Sequence, residues 1–578
     1  MQTAKEIFLE LLKPDGRPER ILKQYEALHM CLYDPINVYL RGNRKRGSVS
    51  KDRWGTTISF PEDAPGATPL HGDGLTVCPD ITRWREFVHA PDIAANCTEG
   101  WAECRAKARA AAGDEQLVAG FMGTGIFEQC HFLMGFENTL TALYEHPDEM
   151  HGLIEYITRY RLEYVRLLID NLQPDVIFSH DDWGTKTALF MKPDMWREFF
   201  KEPYRRFYGY IRSRGCIAVH HGDAYLADIV DDMAEIGIQV WQGTLPENNI
   251  PALQKHLKGR LVLMGGMGAA IDRADATPEE ITAYAEKTLR DCCPGGHFIP
   301  SITYGLPGAV YPHIDRYIDR AIDDYNAKLH MPHFDLPEVP RRKLDGAVKT
   351  AAFEPVAETK TEEAGGDILT RIASAIKRGQ QKKLLALIDE ALNDGVDAQD
   401  ILSGGLVVGM NELGEDFSAN RAFVPEMLIA ARCMAAATAV LKPHMVSEDG
   451  SSRSIGSACI GTVLGDLHDI GKNLVKIMFE GSGIEVYDLG ADVPPEKFIQ
   501  TAKEHNCDII ACSSLLTTTM QEMRQIVELA KQAGIRDTTT IMVGGAPISQ
   551  SFCDEIGADI YTPDAASAAR AAVKVLTA

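Results

Sequence analysis

The chain has 578 residues, of which 45% are apolar and 24% are charged, and its formal net charge at pH 7 is −23. This length gives room for several domains with sizeable cores, and the composition is ordinary for a globular protein. The negative charge disfavours nucleic acid or an anionic membrane surface as a partner, and no apolar run is expected to span a bilayer.

The N-terminal segment and the cysteines bear on the cellular compartment. Residues 1–21 have the pattern of an amphipathic helix rather than that of a signal peptide. The thirteen cysteines are scattered without CxxC spacing, which is typical of free thiols in a reducing compartment. We therefore expect a cytoplasmic protein, and its assembly into a homo-oligomer stays open.

Residues 1–334 alternate strand-like runs with helical stretches. Runs such as DVIFSHDDWG and CIAVHHGD end in polar loops, and repeated βα units over this length predict a (β/α)8 barrel, or TIM barrel. Active sites of such barrels lie on the loops that follow the strands, so the candidate catalytic residues are taken from those loops. They are Glu128, His180, Asp181, His220, His221, Asp223 and Tyr304.

Residues 335–366 are polar, contain prolines and lack periodicity, so we predict a flexible linker there. Residues 367–446 then follow a helical pattern with short interruptions, which predicts a four-helix bundle. Phe423 and Met427 lie beside a Pro-Glu turn in this segment. For most of its Met and Phe residues, the simplest interpretation is packing in the core of the bundle.

Residues 447–578 alternate short apolar strands with amphipathic helices. This pattern predicts a doubly wound, flavodoxin-like parallel sheet covered by helices on both faces. His468, Ser513 and Gly544 all follow predicted strands, and open α/β sheets bind ligands at the carboxyl ends of their strands. A response-regulator-like domain with an incidental histidine is the alternative.

The most informative segment is Asp466-Leu467-His468-Asp469-Ile470-Gly471. An imidazole on a loop that leaves a buried strand can bind a metal ion, and an aspartate two residues earlier can fix its tautomer. Segment 472–512 separates this motif from Ser513 and Leu515, and segment 516–543 separates that pair from Gly544 and Gly545. The three parts, in this order, resemble the cobalamin-binding signature of methionine synthase and of the corrinoid proteins of methanogens and acetogens.

This resemblance implies a role for each matching residue. His468 would be the lower axial ligand of cobalt, supported by Asp466. Ser513 and Leu515 would line the slot for the nucleotide tail, and the adjacent glycines would let the tail pass close to the backbone. The remaining residues assigned to cobalamin are Leu467, Asp469, Gly471, Thr517, Gly544 and Gly545. In that family a helical cap covers the reactive face of cobalt, which places Phe423 and Met427 over the corrin.

The barrel half resembles the methyltransferase branch of the uroporphyrinogen decarboxylase superfamily. The matching motifs are Asp52-Arg53-Trp54-Gly55, Gly135-Phe136-Glu137-Asn138 and Asp181-Asp182-Trp183-Gly184. The branch includes corrinoid:coenzyme M methyltransferases and a chloromethane methyltransferase with this same fusion. The coenzyme M branch binds zinc through His-x-Cys and a later Cys, whereas segments 219–223 and 300–304 here contain no Cys. His220 is left as a possible zinc ligand, with His221 and Asp223 as substitutes, and a thiol substrate is disfavoured.

We therefore predict a cobalamin-dependent methyltransferase that moves a methyl group from a small methylated donor to cob(I)alamin bound on its own C-terminal domain. The barrel residues would protonate the leaving group or hold Zn²⁺ beside it. The resemblance implies onward transfer to tetrahydrofolate by a separate methyltransferase, and a reductive activase that rescues oxidised cobalt. Two alternatives stay open: transfer from methylcobalamin to a thiol or folate acceptor in the barrel, and a non-catalytic corrinoid carrier or sensor.

The first expected donor is a methoxylated aromatic compound, which would make the reaction an O-demethylation. Rings of Trp183, Trp241 and Tyr304 could stack on such a substrate. Replacing His220 and Asp181 is expected to slow methyl transfer and to spare cobalamin binding.

Overall fold

The structure is a computed structural model that describes residues 2–60, 67–72, 74–329, 367–419, 421–444, 454–466, 470–514, 519–545, 548–563 and 565–577. The predicted linker 335–366 lies outside the described residues. So do Leu467, His468, Asp469, Leu515 and Thr517. The described parts form an N-terminal barrel, a helical bundle and a C-terminal α/β domain.

The N-terminal domain contains one large parallel sheet and one small antiparallel sheet. Its strands are β1 (Leu28–Cys31), β2 (Ser48–Lys51), β3 (Thr57–Phe60), β4 (Thr68–Pro69), β5 (Leu117–Met122), β6 (Val176–His180), β7 (Ile217–His221), β8 (Val240–Thr244), β9 (Val262–Met267) and β10 (Phe298–Ile302). The parallel strands pair in the order β1-β5-β6-β7-β8-β9-β10, and β2-β3-β4 form the antiparallel sheet.

The large sheet is a barrel, as predicted, but within the described ranges it has seven paired strands and not eight. Side-chain hydrogen bonds bridge the gap between β10 and β1. Tyr25 Oη, just before β1, donates to the carbonyl oxygen of Tyr304 at 2.7 Å, and the backbone N–H of Ile302 donates to Gln24 Oε1 at 3.3 Å. The two edges of the sheet are therefore held together without an eighth strand.

Helices surround the barrel strands. They are α1 (Ala4–Leu11), α2 (Pro35–Arg41), α3 (Trp84–Phe87), α4 (Ile93–Asn96), α5 (Trp101–Ala112), α6 (Ile126–Met134), α7 (Phe136–Glu145), α8 (Pro147–Leu172), α9 (Pro193–Trp196), α10 (Glu202–Ser213), α11 (Val230–Glu235), α12 (Ile250–Leu257), α13 (Pro278–Cys292) and α14 (Pro312–Leu329). A π-helical segment, Arg197–Lys201, joins α9 to α10. The amphipathic helix predicted over residues 1–21 is shorter in the structure, where it is α1 alone. Thr3 caps α1, which buries Ile7 and Phe8 against the barrel interior.

Residues along each barrel strand alternate between the interior and the surrounding helices. Phe178 of β6 and Val219 of β7 belong to the interior core, whereas Ile177 belongs to the core shared with the helices. His180 and His221 stand two residues after Phe178 and Val219, at the carboxyl ends of their strands. Both imidazoles therefore continue the interior face and lie at the mouth of the barrel.

The second part is the four-helix bundle that the sequence predicts. Its helical segments are α15 (Ile368–Lys377), α16 (Gln381–Asn393), α17 (Ala398–Asp400), α18 (Val407–Ser418) and α19 (Val424–Leu441), and the π-helical segment Ile401–Leu406 makes α17 and α18 continuous. Glycines let α18 approach α15 closely, since a Cβ on Gly409 would stand 2.4 Å from the carbonyl oxygen of Ala373.

Helix α19 is long and apolar enough to cross a membrane by length and composition alone. It is not an uninterrupted apolar run, because it contains Glu426 and Arg432. The helix buries Met427, Ala430, Met434 and Ala437 within the bundle, and a core helix of a folded domain passes the same test of composition.

The C-terminal domain is the predicted doubly wound parallel sheet. Its strands are β11 (Gly456–Thr462), β12 (Ile484–Asp488), β13 (Ile509–Ser513), β14 (Thr540–Gly544) and β15 (Ile560–Tyr561), and they pair in the order β12-β11-β13-β14-β15. Its helices are α20 (Ile470–Gly481), α21 (Pro495–Glu504), α22 (Gln521–Gln532), α23 (Gln550–Ile556) and α24 (Ala565–Leu576).

The bundle contacts both of its neighbours through α19. On the barrel side, Glu426 accepts a hydrogen bond from Tyr144 Oη at 2.6 Å and pairs with Lys192, while Arg432 pairs with Glu145 at 2.9 Å. On the other side, α19 packs against α20, where Met434 lies near Gly481. The bundle therefore lies between the other two domains.

Candidate functional site

The C-terminal sheet aligns the three parts of the sequence signature at one edge. Ser513, the last residue of β13, is in register with Thr462 of β11 on one side and with Gly544 of β14 on the other. The Asp466 motif follows β11 directly. The carboxyl ends of these three strands therefore form one ligand-binding edge, as expected for an open α/β sheet.

Asp466 is fully buried at this edge. Its Oδ2 accepts hydrogen bonds from the hydroxyls of Thr519 at 3.2 Å and Ser514 at 3.4 Å, and the two hydroxyls contact each other at 2.8 Å. A buried carboxylate held in this way can orient an imidazole that lies two residues further along the chain. His468 itself lies outside the described residues, so its bond to cobalt stays a prediction.

The two glycines of the signature have different structural roles. Gly545 has φ +131°, and a Cβ there would stand 1.8 Å from the carbonyl oxygen of Ser514. The nearest atom to a Cβ on Gly544 is the carbonyl oxygen of Thr562, at 3.4 Å. The glycine at 545 therefore allows β13 and β14 to meet closely beside the binding edge, and this arrangement of residues fits a bound cobalamin.

Alanine at Gly545 is expected to lower the free energy of unfolding by at least about 2 kcal/mol, because the new methyl group collides with the backbone in a left-handed conformation. Gly534→Ala is the matched control. Gly534 also has positive φ, +70°, but nothing lies within 4 Å of its Cβ position, so a loss of about 1 kcal/mol is expected. Urea titration of both variants measures the difference, and equal losses would contradict the close approach at Ser514.

Phe423 and Met427 are buried, with 7% and 1% of their surface exposed. They flank Glu426, which contacts the barrel, and they belong to a hydrophobic core that continues through the bundle. Both side chains therefore have apolar neighbours in this arrangement, and their position over the corrin stays a prediction.

At the barrel mouth, three polar residues on adjacent strands lie side by side. His180 of β6 is in register with His221 of β7, which is in register with Gln242 of β8. The two imidazole rings stack with centroids 4.4 Å apart, and Phe178 lies beneath His221. His221 Nε2 is 4.0 Å from Asp182 Oδ1. The mouth therefore has a floor of aromatic carbon and a rim of imidazole and carboxylate.

The charges at the mouth are unequally distributed. Desolvation opposes the charged form of His180, but the Glu128 carboxylate, assisted by Asp182 and Asp223, outweighs it and raises the pKa of His180 to about 10. Desolvation and the neighbouring His180 lower the pKa of His221 to about 4. At neutral pH the site thus holds one imidazolium and one neutral imidazole, which are a proton donor and a proton acceptor side by side.

Asp181 and His220 face away from the mouth, which corrects their expected positions. Asp181 accepts hydrogen bonds from the backbone N–H groups of Phe127 at 3.0 Å and Glu128 at 2.9 Å, at the first turn of α6. His220 is fully buried, stacks on Trp183 at 4.0 Å, and its Nδ1 bonds to Tyr208 Oη at 2.8 Å. Desolvation holds the pKa of His220 well below its usual range. Both side chains stabilise the layer between strands and helices.

The other predicted barrel residues do lie near the mouth. Glu128 Oε2 accepts a hydrogen bond from His180 Nδ1 at 3.0 Å, and the backbone N–H of Asp223 donates to Asp182 Oδ1 at 3.1 Å. Desolvation and the Asp182 carboxylate raise the pKa of Asp223. Desolvation and the Asp272 carboxylate raise the pKa of the half-buried Tyr304 phenol, so it stays protonated.

Several residues at these sites were not assigned a catalytic or cofactor-binding role from the sequence, although Asp182 and Gln242 were expected on the loops at the mouth. They are Asp182, Gln242 and Gly305 at the mouth, and Ser514 and Thr519 at the cobalamin edge. A Cβ on Gly305 would stand 3.0 Å from carbons of both His180 and His221, so this loop lies directly against the two rings. The two-residue spacing between His180 and Asp182 was a usable signal for Asp182, because alternate residues of a strand share a face.

Family models match most of the chain. A model described as "Uroporphyrinogen decarboxylase (URO-D)" matches residues 55–319, and two models described as "B12 binding domain" match residues 368–442 and 456–573. The cofactor is cobalamin. A uroporphyrinogen decarboxylase-like barrel joined to cobalamin-binding domains defines a corrinoid-dependent methyltransferase.

Relatives of known character match the bundle and the C-terminal domain. The "Dimethylamine corrinoid protein" of Methanosarcina barkeri is 40% identical over 210 residues, which are 36% of this chain and 98% of the relative. "Trimethylamine corrinoid protein 1" of Methanosarcina acetivorans is 42% identical over 195 residues, 34% of this chain and 90% of the relative. A solved cobalamin-binding protein from Desulfitobacterium hafniense DCB-2 is 30% identical over 36% of this chain and 98% of its own, with a TM-score of 0.32. The chain belongs to the corrinoid protein family, with a methyltransferase-type barrel fused to it.

Proposed function

We propose that the barrel takes a methyl group from a small methylated substrate and passes it to cobalamin bound on the C-terminal domain of the same chain. The observation that carries this proposal is the mouth itself, where His180, Asp182 and His221 converge above an aromatic floor. The stacked imidazoles of His180 and His221 suit a barrel in which a proton is transferred at the mouth. Bound cobalamin supplies a cobalt centre that accepts and donates methyl groups.

The residues of the mouth suit a methyl donor in which the methyl group is bonded to oxygen or nitrogen. When a methyl group is removed from such an atom, negative charge develops there and must be neutralised. The imidazolium of His180 can donate a proton, and Glu128 holds its ring through Nδ1 at 3.0 Å. No cysteine is among these mouth residues, and all thirteen cysteines of the chain are buried, so a thiol-activating role is disfavoured.

Methoxylated aromatic compounds are the first donor class that we propose. The rings expected to stack on them are not all accessible, because Trp183 and Trp241 are fully buried behind the strands. Phe136 and Phe190 offer a different surface: their rings contact each other with centroids 4.8 Å apart and stay partly exposed. Methylamines are the second class, since the names of the corrinoid relatives refer to dimethylamine and trimethylamine.

The methyl acceptor beyond cobalamin is proposed to be tetrahydrofolate, through a separate methyltransferase, with a reductive activase as an additional partner. A cytoplasmic location agrees with these partners. Reverse transfer, from methylated cobalamin to an acceptor in the barrel, is the second candidate. The neutral imidazole of His221 favours it, because it can accept a proton from an acceptor group.

A donor panel tests the proposal. The full chain, loaded with reduced cobalamin under anaerobic conditions, is mixed with methoxylated aromatics, methylamines, methanol and a methyl halide. We expect the absorbance of reduced cobalamin to fall within seconds for one class alone, with the demethylated product appearing in equal amount. Reduced cobalamin that persists with every donor, while methylated cobalamin loses its methyl group to folate or a thiol, would favour the reverse direction.

A further inference from the structure

We propose that His180, Asp182 and His221 bind a divalent transition-metal ion at the barrel mouth. One ligand atom from each residue lies within 4.8 Å of the other two. Two imidazoles and one carboxylate on one side of an ion leave coordination positions open on the other side. This inference rests on the proposed function, because an ion at the mouth would act on the methyl donor that the barrel is proposed to bind.

The hydrogen bonds around His221 fix which of its nitrogens is available. Gln242 Nε2 donates to the carbonyl oxygens of Tyr304 at 2.9 Å and Ile302 at 3.4 Å, so the amide oxygen of Gln242 must point the other way. That oxygen contacts His221 Nδ1 at 2.5 Å. An amide oxygen only accepts, so Nδ1 carries the proton and Nε2, the atom nearest Asp182, is free to bind a cation.

His180 is oriented in the same way. Its Nδ1 lies 3.0 Å from Glu128 Oε2, and a carboxylate oxygen accepts, so Nδ1 is the donor. A cation bound at Nε2 would take the place of the second proton, the one that makes this ring an imidazolium. Glu128 is in turn fixed by the backbone N–H of Gly125 at 3.3 Å. Histidine ligands of protein-bound metals usually donate their second N–H to a carboxylate or carbonyl oxygen. Both imidazoles here have that support: Gln242 of strand β8 supports His221, and Glu128 of helix α6 supports His180.

The charge balance at the mouth also favours a cation. Glu128 and Asp182 bring two carboxylates close to the two imidazoles, and Glu128 is largely buried. Carboxylates removed from water need compensating positive charge. A divalent ion supplies two positive charges, whereas a single imidazolium supplies only one. The Asp182 oxygen is itself held in place by the backbone N–H of Asp223 at 3.1 Å.

The ligand set indicates which cations fit. Imidazole with carboxylate suits zinc and the neighbouring first-row metals, whereas thiolate ligands are absent from this trio and an all-oxygen set would suit magnesium or calcium. A bound cation of this kind acts as a Lewis acid on an oxygen or nitrogen atom of the substrate. The site therefore narrows the methyl donor to O-methyl and N-methyl compounds and disfavours S-methyl compounds.

Zinc is the probe for the test. The full-length protein with bound cobalamin is stripped with a chelator, incubated with Zn²⁺ and analysed by mass spectrometry of metals and by zinc K-edge absorption. We expect about one zinc per chain with nitrogen and oxygen neighbours only. Asp182→Asn and His221→Ala should each weaken zinc binding at least about 100-fold, and Gln242→Leu about 10-fold to 100-fold.

His256→Ala is the matched control, because His256 also contacts an aspartate, Asp231 at 2.8 Å, but on the exposed outer surface. It should bind zinc like the unchanged protein. Asp182→Asn preserves size at a partly exposed position, so it tests the site even if His221→Ala fails to fold. The proposal would be overturned if wild-type protein bound no more zinc than Asp182→Asn and His221→Ala do. It would also be overturned if the bound zinc had sulfur neighbours.

The donor panel separates the failure of this inference from the failure of the proposed function. If protein without zinc transfers methyl groups, the proposed function stands with His180 as the proton donor, and the inference of a metal ion at the mouth is wrong. If His180, Asp182 and His221 bind zinc but no donor gives methyl transfer, the metal site stands and the proposed function is wrong.

Discussion

Alanine in place of His221 is expected to slow methyl transfer to cobalamin at least about 100-fold while leaving the amount of bound cobalamin unchanged. His221 lies at the centre of the mouth, in register with His180 and Gln242, and its Nε2 faces Asp182. Its removal deletes a proton acceptor or a cation ligand, and either loss affects the reacting end of the substrate. Anaerobic stopped-flow absorbance of reduced cobalamin measures the rate.

The neighbouring His220 provides an internal comparison. Because its ring is packed between Trp183 and Tyr208 on the helix side of β7, His220→Ala is expected to lower the free energy of unfolding by about 3 kcal/mol. The folded fraction of that variant should retain methyl transfer within about tenfold of the original rate. If His220→Ala abolishes transfer in folded protein and His221→Ala does not, the assignment of faces at the mouth is reversed.

His468→Ala is expected to weaken cobalamin binding at least about 100-fold with little effect on folding. The motif places this imidazole two residues after Asp466, whose carboxylate is buried and held by Ser514 and Thr519. Loss of the imidazole removes the proposed lower axial ligand of cobalt. Gel filtration with added cobalamin measures retention, and the absorption spectrum of the bound cofactor shows whether a histidine is coordinated.

Two further variants make that experiment specific. His505→Ala removes an exposed histidine of the same domain that stacks on Tyr487 at 3.9 Å, and it should retain cobalamin fully. Asp466→Ala should weaken binding about 10-fold to 100-fold and also cost about 1–3 kcal/mol of stability, because two buried hydroxyls lose an acceptor. Full retention and an unchanged spectrum in His468→Ala would show that another group holds the cobalt.

The position of the bundle relative to its neighbours was the feature that the sequence predicted least well. Its four helices follow from periodicity alone, but the sequence did not show that Phe423 and Met427 are buried close to Glu426, where the bundle meets the barrel. Apolar residues at a helix start look the same whether they cover a cofactor or a neighbouring domain. The contacts of Glu426 with Tyr144 and Lys192, residues far away in sequence, determine how this end of α19 packs against the barrel.

By itself, the sequence determined the three-part architecture, the cofactor and the strand ends that carry the sites. Alternating apolar and polar runs mark where each strand stops, so His180, His221, Ser513 and Gly544 were placed correctly at carboxyl ends.

Only the tertiary structure decided which of two adjacent residues faces each site. His221 and Asp182 lie at the mouth, whereas His220 and Asp181 pack against helices. Strands of a parallel barrel are buried on both sides, so apolar residues occupy both faces and the alternation that would reveal the inner face is missing from the sequence. The faces are set by strand register and by the packing of the surrounding helices, which form only when the whole chain folds.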